Sequence, residues 1–393
     1  MGAPPAFAQP LHVGRPNVGN RERLLQRIND MLDRRWFSNN GPFVQEFEKK
    51  VEELLGVKHC IAMCNGTVAL EIAIRALDLK GEVIVPSFTF IATAHALQWQ
   101  EITPVFADID STTHNLDPSS VERMITPRTS GIIGVHLWGR PCDAAGLKAV
   151  ADKHGLKLMF DASHAFVCSH NGCLIGNFGE CEVFSFHATK FFNTFEGGAV
   201  VTNDDGLAMK MRLMKNFGFV DYDKVIYPGT NGKMTEVCAA MGLTGLESLD
   251  EFIAVNQRNY HAYRDALRAV PGLTLIRYDE SERCNFQYII VEVSADFPLT
   301  RDEIIRVLHA EKVLARKYFW PGCHNMHPYS AYYPHAGILL PNTNAVAGRV
   351  IVLPTGTAVE PATINTIIGI IGRAAVGAER VKTACSMNRK YKS

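Results

Sequence analysis

The sequence has no excess of either charge. Its Lys and Arg number 40 and its Asp and Glu number 40, so the formal net charge is zero. A chain that binds nucleic acid through its phosphates normally shows a basic excess, and none is present overall; only a local basic patch is left open. No apolar run approaches the roughly 18 residues of a membrane-crossing helix. The start, Met1-Gly2-Ala3-Pro4-Pro5-Ala6, lacks the basic and apolar regions of a secretory signal. Ala6 also stands where the N-myristoylation pattern requires Ser or Thr. The ten cysteines follow no repeated spacing, which without an export signal reads as reduced thiols and small core residues, and a cytoplasmic location is expected. Two nucleotide signatures are missing as well. No Gly-x-Gly-x-x-Gly occurs, and the nearest approach to a phosphate-binding P-loop, Gly229 to Thr235, has the wrong spacing.

One cluster could hold a metal. Cys168-Ser169-His170-Asn171-Gly172-Cys173 brings three soft ligands together. Asn171-Gly172 between apolar stretches is, however, a strong hairpin signal. No second CxxC or HxxxH completes a set of four ligands, so the reading is a hairpin and no metal.

What is present suits a globular protein: 47% apolar and 20% charged residues in a chain of 393, long enough for two domains. An amphipathic helix is expected over 43 to 55, with Phe43, Phe47, Val51, Leu54 and Leu55 on one face. Strands are expected at 59 to 64, 82 to 85, 104 to 107, 131 to 137, 156 to 160, 183 to 186 and 199 to 202, with helices at 68 to 79 and 90 to 98. Short apolar strands alternating with helices imply an α/β fold with a mostly parallel sheet covered on both faces. From about residue 245 the pattern changes to a long helical stretch (235 to 268), strands at 273 to 277, 288 to 293 and 349 to 353, and a helix near 301 to 311. The expected division is a large domain, 1 to 245, and a smaller C-terminal α+β domain, 246 to 393.

In such a sheet ligands bind beyond the carboxyl ends of the strands. The residues there are Cys64-Asn65-Gly66-Thr67, Pro86 to Phe90, Asp161 to His164 and Ser185 to Lys190. Gly66 and Thr67 open a helix, a place that favours a phosphate, although such turns are often only caps. Asp161 either N-caps the next helix or partners a buried cation. Lys190, beside Phe186, Phe191 and Phe192, would be desolvated and so a nucleophilic amine, or else a snorkelling surface residue. Together these residues suit an anionic aromatic cofactor better than a metal or a hydrolytic triad.

These segments, in this order, resemble the DegT/DnrJ/EryC1/StrS family of pyridoxal phosphate (PLP) sugar aminotransferases. Gly41-Pro42-Phe43-Val44, Asn65-Gly66-Thr67, Pro86 to Phe90, Asp161 to Ala165, Ser185 to Lys190, Glu196-Gly197-Gly198 and Asn231 to Glu236 carry the resemblance from about residue 20 to 375. It implies fold type I, the aspartate-aminotransferase architecture, with PLP as cofactor and pyridoxamine phosphate as its alternate form. By the same resemblance Lys190 would bind PLP covalently and shuttle the proton, and Asp161 would pair with the ring nitrogen. Phe90 would stack on the ring and His164 would lie near O3′. Ser185, Gly66 and Thr67 would hold the phosphate. Asn231 or Lys233 would reach the phosphate of a neighbouring subunit in a homodimer, Lys233 standing where relatives often have Arg. His324 and Tyr329 would approach the substrate.

Lys190 separates this chain from relatives that carry His there and act as dehydratases. The resemblance implies transfer of an amino group from L-glutamate to a nucleotide-linked keto sugar. Leu11 to Asn17, Asp33 to Phe37 and Gly134 to Cys142 resemble members that act at C4 of dTDP-4-keto-6-deoxyglucose. Amination at C3 of a dTDP-3-keto-6-deoxyhexose and a non-catalytic regulatory role are the alternatives.

Overall fold

The structure, a computed structural model, describes residues 4–390. The reading made on Met1, Gly2 and Ala3 therefore lies outside the described residues.

Seven strands form the main sheet: β1 (His59–Met63), β2 (Glu82–Pro86), β3 (Thr103–Ala107), β4 (Thr129–Val135), β5 (Lys157–Asp161), β6 (Cys181–Ser185) and β7 (Gly198–Thr202). Their order is β1-β7-β6-β5-β4-β2-β3, parallel from β6 to β3, with β7 antiparallel to both its neighbours. The strands read as near-continuous apolar runs because both faces are covered, which is the condition for a mostly parallel sheet. Each expected strand is present, within two residues at its ends.

The helix expected over 43 to 55 is α2 (Pro42–Leu55), preceded by α1 (Arg21–Arg34). Phe47 and Val51 of α2 are fully buried, and Phe47 meets the rings of Phe186 and Phe192. α2 has no capping side chain of its own. The buried carboxylate of Glu236 accepts the N–H groups of Phe43 and Val44, each at 2.9 Å. A Cβ at Gly41 would lie 2.5 Å from the Glu236 carboxyl carbon. Two segments almost 200 residues apart are therefore constrained by one contact.

β1 is an edge strand, and unpaired edge N–H groups invite association with other strands. α2 covers them with carboxylates. Glu48 accepts the N–H of Ala62 at 2.8 Å, and Glu52 accepts that of Cys60 at 2.9 Å. Glu48 is itself paired with Lys215 at 2.9 Å and Arg212 at 2.5 Å.

The long helical stretch is two helices, α5 (Glu236–Glu247) and α6 (Leu249–Leu267), broken at Ser248 (φ −112°, ψ 12°), after α3 (Gly66–Ala76) and α4 (Ala92–Gln98). Beyond it, β8 (Leu273–Leu275), β9 (Ile289–Val293) and β10 (Val350–Leu353) form an antiparallel three-stranded sheet. α6 and α7 (Pro361–Val376) pack in the same core as this sheet. Among the described residues no single helix is long and apolar enough to cross a membrane. The most apolar, α7, spends Ile364, Ile367, Ile368 and Ile371 on that core.

The Cys168–Cys173 cluster is the expected hairpin. Ser169 and His170 pair with Leu174 and Cys173, and Asn171 and Gly172 turn with φ of 52° and 73°. Two successive left-handed residues make the turn whose twist matches the strands.

Replacing Glu48 leaves Lys215 buried without its partner and Ala62 N–H without an acceptor. Glu48→Ala should cost about 3–5 kcal/mol of stability. Urea denaturation should show a lowered midpoint with an unchanged slope, and Glu52→Ala, at a more open site, should show a smaller shift.

Candidate active site

The residues that follow the strand ends meet along one edge of the main sheet. β1 runs through Asn65 into α3, β2 through Ser87 to Phe90, β5 ends on Asp161, and β6 ends on Ser185 with Lys190 in the loop beyond.

Asn65 is extended, and its Oδ1 accepts the Val68 N–H at 2.8 Å. The next donor, Ala69 N–H, goes to the Asn65 carbonyl at 3.1 Å. The N–H groups of Gly66 and Thr67 are thus left as helix N-terminal donors, where the helix dipole favours an anion. Ser185 lies against them. A Cβ built on Gly66 would fall 3.0 Å from Ser185 Cβ. From the other side β7 presses in, so that a Cβ on Gly198 would fall 2.7 Å from the Gly66 nitrogen. Gly198 needs glycine because backbone approaches backbone, and Gly66 is crowded by the Ser185 side chain.

Asp161 is only 5% exposed. Its Oδ1 accepts the Ser163 N–H at 3.1 Å and hydroxyl at 2.6 Å. Its Oδ2 accepts the Thr93 hydroxyl at 2.8 Å. One oxygen therefore caps a turn, not the helix expected to follow it. The other retains a free acceptor position.

Lys190 keeps partial access to solvent, as a residue facing a cleft does. Burial nevertheless lowers its pKa from 10.5 to about 8, against the opposing field of Asp161. A larger neutral fraction at pH 7 makes the amine a better nucleophile.

His164 is buried, and its Nδ1 accepts the backbone N–H of Trp138 at 3.2 Å. Burial, reinforced by the Lys190 charge, pushes its pKa well below the ordinary histidine value. Its Nε2 finds no partner among the described residues, yet it is not sealed away from open space. Phe319 stacks near it at 5.9 Å, and the Phe319 ring also meets Phe90 at 6.4 Å. Phe90 is 57% exposed, a large aromatic surface left uncovered.

Asn231 is exposed, and a backbone bridge joins it to Asn216. Lys233 pairs through its backbone with Met63 at the end of β1, while its ammonium donates to Asn216 Oδ1 at 3.1 Å and lies over the Phe217 ring. Neither side chain hydrogen-bonds Ser185, Asp161 or Lys190 of the same chain.

His324 and Tyr329, expected to approach a substrate, are both buried. His324 is 2% exposed, with Nδ1 2.6 Å from the Ser87 hydroxyl and Nε2 3.1 Å from Asn344 Oδ1. Tyr329 is fully buried, its hydroxyl 2.8 Å from His95 Nδ1 and its ring edge-on to Phe106. Both are wall residues whose polar atoms are already paired. Thr93, Trp138 and Phe319, by contrast, belong to the site and carry no local signal in the sequence. Ser163 could have been found, since Asp-x-Ser is a common side-chain-capped turn.

These residues fit a cofactor with a phosphate at one end and an aromatic cation at the other. Free amide donors and a hydroxyl stand at a helix N-terminus, and a buried carboxylate keeps an open lone pair. The amine of lowered pKa lies near that carboxylate.

Comparison with known proteins gives the same class. Residues 19–372 match the DegT/DnrJ/EryC1/StrS aminotransferase family. The chain is 38% identical to the dTDP-4-amino-4,6-dideoxy-D-glucose transaminase of Shigella dysenteriae, over 92% of this chain and 98% of that one. It is 36% identical to the GDP-perosamine synthase of Caulobacter vibrioides, over 93% and 98%. Among solved structures, that of DesI in the presence of its TDP-sugar product superposes with a TM-score of 0.93 at 50% identity, over 98% of this chain and 97% of that one.

Two outcomes follow from the geometry. Asp161→Asn keeps an acceptor oxygen for Ser163 and places an NH2 where the Thr93 hydroxyl can turn to accept, but removes the charge. It should keep its cofactor and lose at least roughly 100-fold in turnover; a near-normal rate would reduce Asp161 to a turn cap. Gly198→Ala should push the start of α3 off its place and weaken PLP binding about tenfold or more when the apoenzyme is titrated. Gly348→Ala, where nothing lies within 4 Å, should leave that titration unchanged.

Proposed function

The chain belongs to the DegT/DnrJ/EryC1/StrS aminotransferase family, and we propose that it transfers an amino group to C4 of dTDP-4-keto-6-deoxyglucose, giving dTDP-4-amino-4,6-dideoxyglucose. It is a PLP-dependent sugar aminotransferase. The observation that carries the choice of sugar is near-full-length similarity to DesI, solved with its TDP-sugar product, at 50% identity. The transaminase of Shigella dysenteriae, named for the same aminosugar, supports it.

When bound, PLP supplies an electron sink next to the carbon that gains or loses the amino group. The chain's own residues do the rest. Gly66, Thr67 and Ser185 would hold the phosphate through two amides and a hydroxyl. Asp161 Oδ2 would accept the hydrogen bond of a protonated ring nitrogen. Phe90 would cover the ring, and His164 would donate from Nε2. Lys190, its pKa lowered to about 8 by burial, would attach the cofactor through Nζ and hold the proton that moves at the reacting carbon.

The amino donor in this reading is L-glutamate, and the working unit is a cytoplasmic homodimer in which Asn231 or Lys233 completes the phosphate site of the second subunit. Exposed Phe217, Phe219, Val225 and Ile226 beside Lys233 support that assembly, because an apolar patch of this kind marks an interface. A second reading, action on a GDP-linked sugar, is favoured by the similarity to GDP-perosamine synthases.

The purified enzyme, supplied with glutamate and a panel of dTDP-, UDP- and GDP-linked keto sugars, should aminate dTDP-4-keto-6-deoxyglucose, with the new C4 amine visible by NMR. Turnover of a 3-keto isomer alone, or of the GDP sugar alone, would replace this substrate and leave the aminotransferase reading intact.

A further inference from the structure

Trp138 holds an unusual backbone conformation. Its φ of 64° and ψ of 6° lie in the left-handed region, which is rare for a bulky side chain and persists only where surroundings enforce it. Three contacts enforce it. The Tyr278 hydroxyl lies 3.0 Å from the Trp138 carbonyl and shares its hydrogen between it and the Tyr288 carbonyl, also at 3.0 Å. The next residue, Gly139, also has positive φ and passes so close to the His164 carbonyl that a Cβ would fall 2.9 Å from it. The Trp138 indole Nε1–H donates to His114 Nδ1 at 3.3 Å.

These contacts fix where hydrogens sit. A backbone N–H and an indole N–H can only donate. His164 Nδ1 faces the first and His114 Nδ1 faces the second, so both are acceptors. Each neutral ring must then carry its hydrogen on Nε2. For His114 that hydrogen goes to Glu292 Oε1 at 2.6 Å, and the other Glu292 oxygen accepts Arg349 Nε at 2.8 Å. For His164 it is left directed at no described residue. Burial keeps both rings toward the neutral form, for His114 against the opposing pull of Glu292.

Resting on the reading of His164 as a cofactor contact, we propose that Trp138, His114 and Glu292 are positioning residues for the transamination. The small antiparallel sheet, through Glu292 on β9, orients His114. His114 anchors the Trp138 indole, and Trp138 presents its backbone N–H to His164, so that His164 is held as an obligatory Nε2–H donor. The second sheet thereby sets a hydrogen-bond donor in the site of the first.

The tautomer is read directly. Imidazole 15N NMR of the enzyme, with and without PLP, should show His164 protonated on Nε2 and not on Nδ1, the signal assigned by its loss in His164→Gln. Protonation on Nδ1 in both forms would overturn the proposal without any relay variant. Trp138→Phe keeps the backbone N–H but loses the anchor. It should shift the absorption band of bound PLP and lower kcat roughly fivefold to tenfold, the worth of one neutral hydrogen bond, with sugar KM little changed. In a His164→Gln background, whose amide donor needs no tautomer, the same substitution should have no such effect. Equal effects in both backgrounds would mean a merely structural role for Trp138 and would overturn the relay. His114→Gln, able to accept from the indole and donate to Glu292, should behave as wild type, while His114→Leu should match Trp138→Phe. Failure of this second pair overturns the relay even if Trp138→Phe does not fold. Loss of the aminotransferase reading itself would show as absence of bound PLP in the unmodified enzyme.

Discussion

The site depends first on how closely β7 approaches the start of α3. Gly198 touches the Gly66 amide with no room for a methyl group, and that approach sets the direction of the free Gly66 and Thr67 N–H groups. The same packing puts Ser185, on the neighbouring strand, beside them. Because β7 runs antiparallel between β1 and β6, its first residue lies at the carboxyl ends of both neighbours. The one reversed strand therefore brings a glycine, not a side chain, to the point where an anion must be reached.

A second constraint is the supply of buried carboxylates, each held by several donors. Glu236 closes the N-terminus of α2, Glu48 closes the edge of β1 and neutralises Lys215, and Asp161 closes a turn with one oxygen. A buried carboxylate without donors is costly. Asp161 differs from the other two in the free acceptor position on Oδ2, and it is the one whose field reaches Lys190. Its neighbour Thr93 comes from α4, so the helix after β2 and the end of β5 must both be in place before the carboxylate is oriented.

Much of this was legible along the chain because the signals are local. Short apolar runs located the strands of the main sheet, helical patterns located α2 to α4, and Asn171-Gly172 announced its hairpin. The rule that ligands gather at strand carboxyl ends selected Gly66, Asp161, Ser185 and Lys190. The aromatic flanks of Lys190 announced its desolvation. Local pattern also misled. Continuous helical periodicity from 235 to 268 hid the break at Ser248, and the burial of Tyr329 and His324 could not be read along the chain, since burial is not a property of a motif.

By itself, then, the sequence determined the order of elements, the edge of the sheet that carries chemistry, and the residue types available there. Tertiary structure alone decided which of them meet. Thr93 and Asp161, His114 and Glu292, and Phe90 and Phe319 are far apart along the chain, and their pairing depends on strand order and on the docking of the C-terminal segment. The reason is physical. Helix and strand periodicity are fixed by neighbours within a few residues, whereas the tautomer of His164, the pKa of Lys190 and the sealing of Tyr329 are fixed by atoms that only folding brings within a few ångströms.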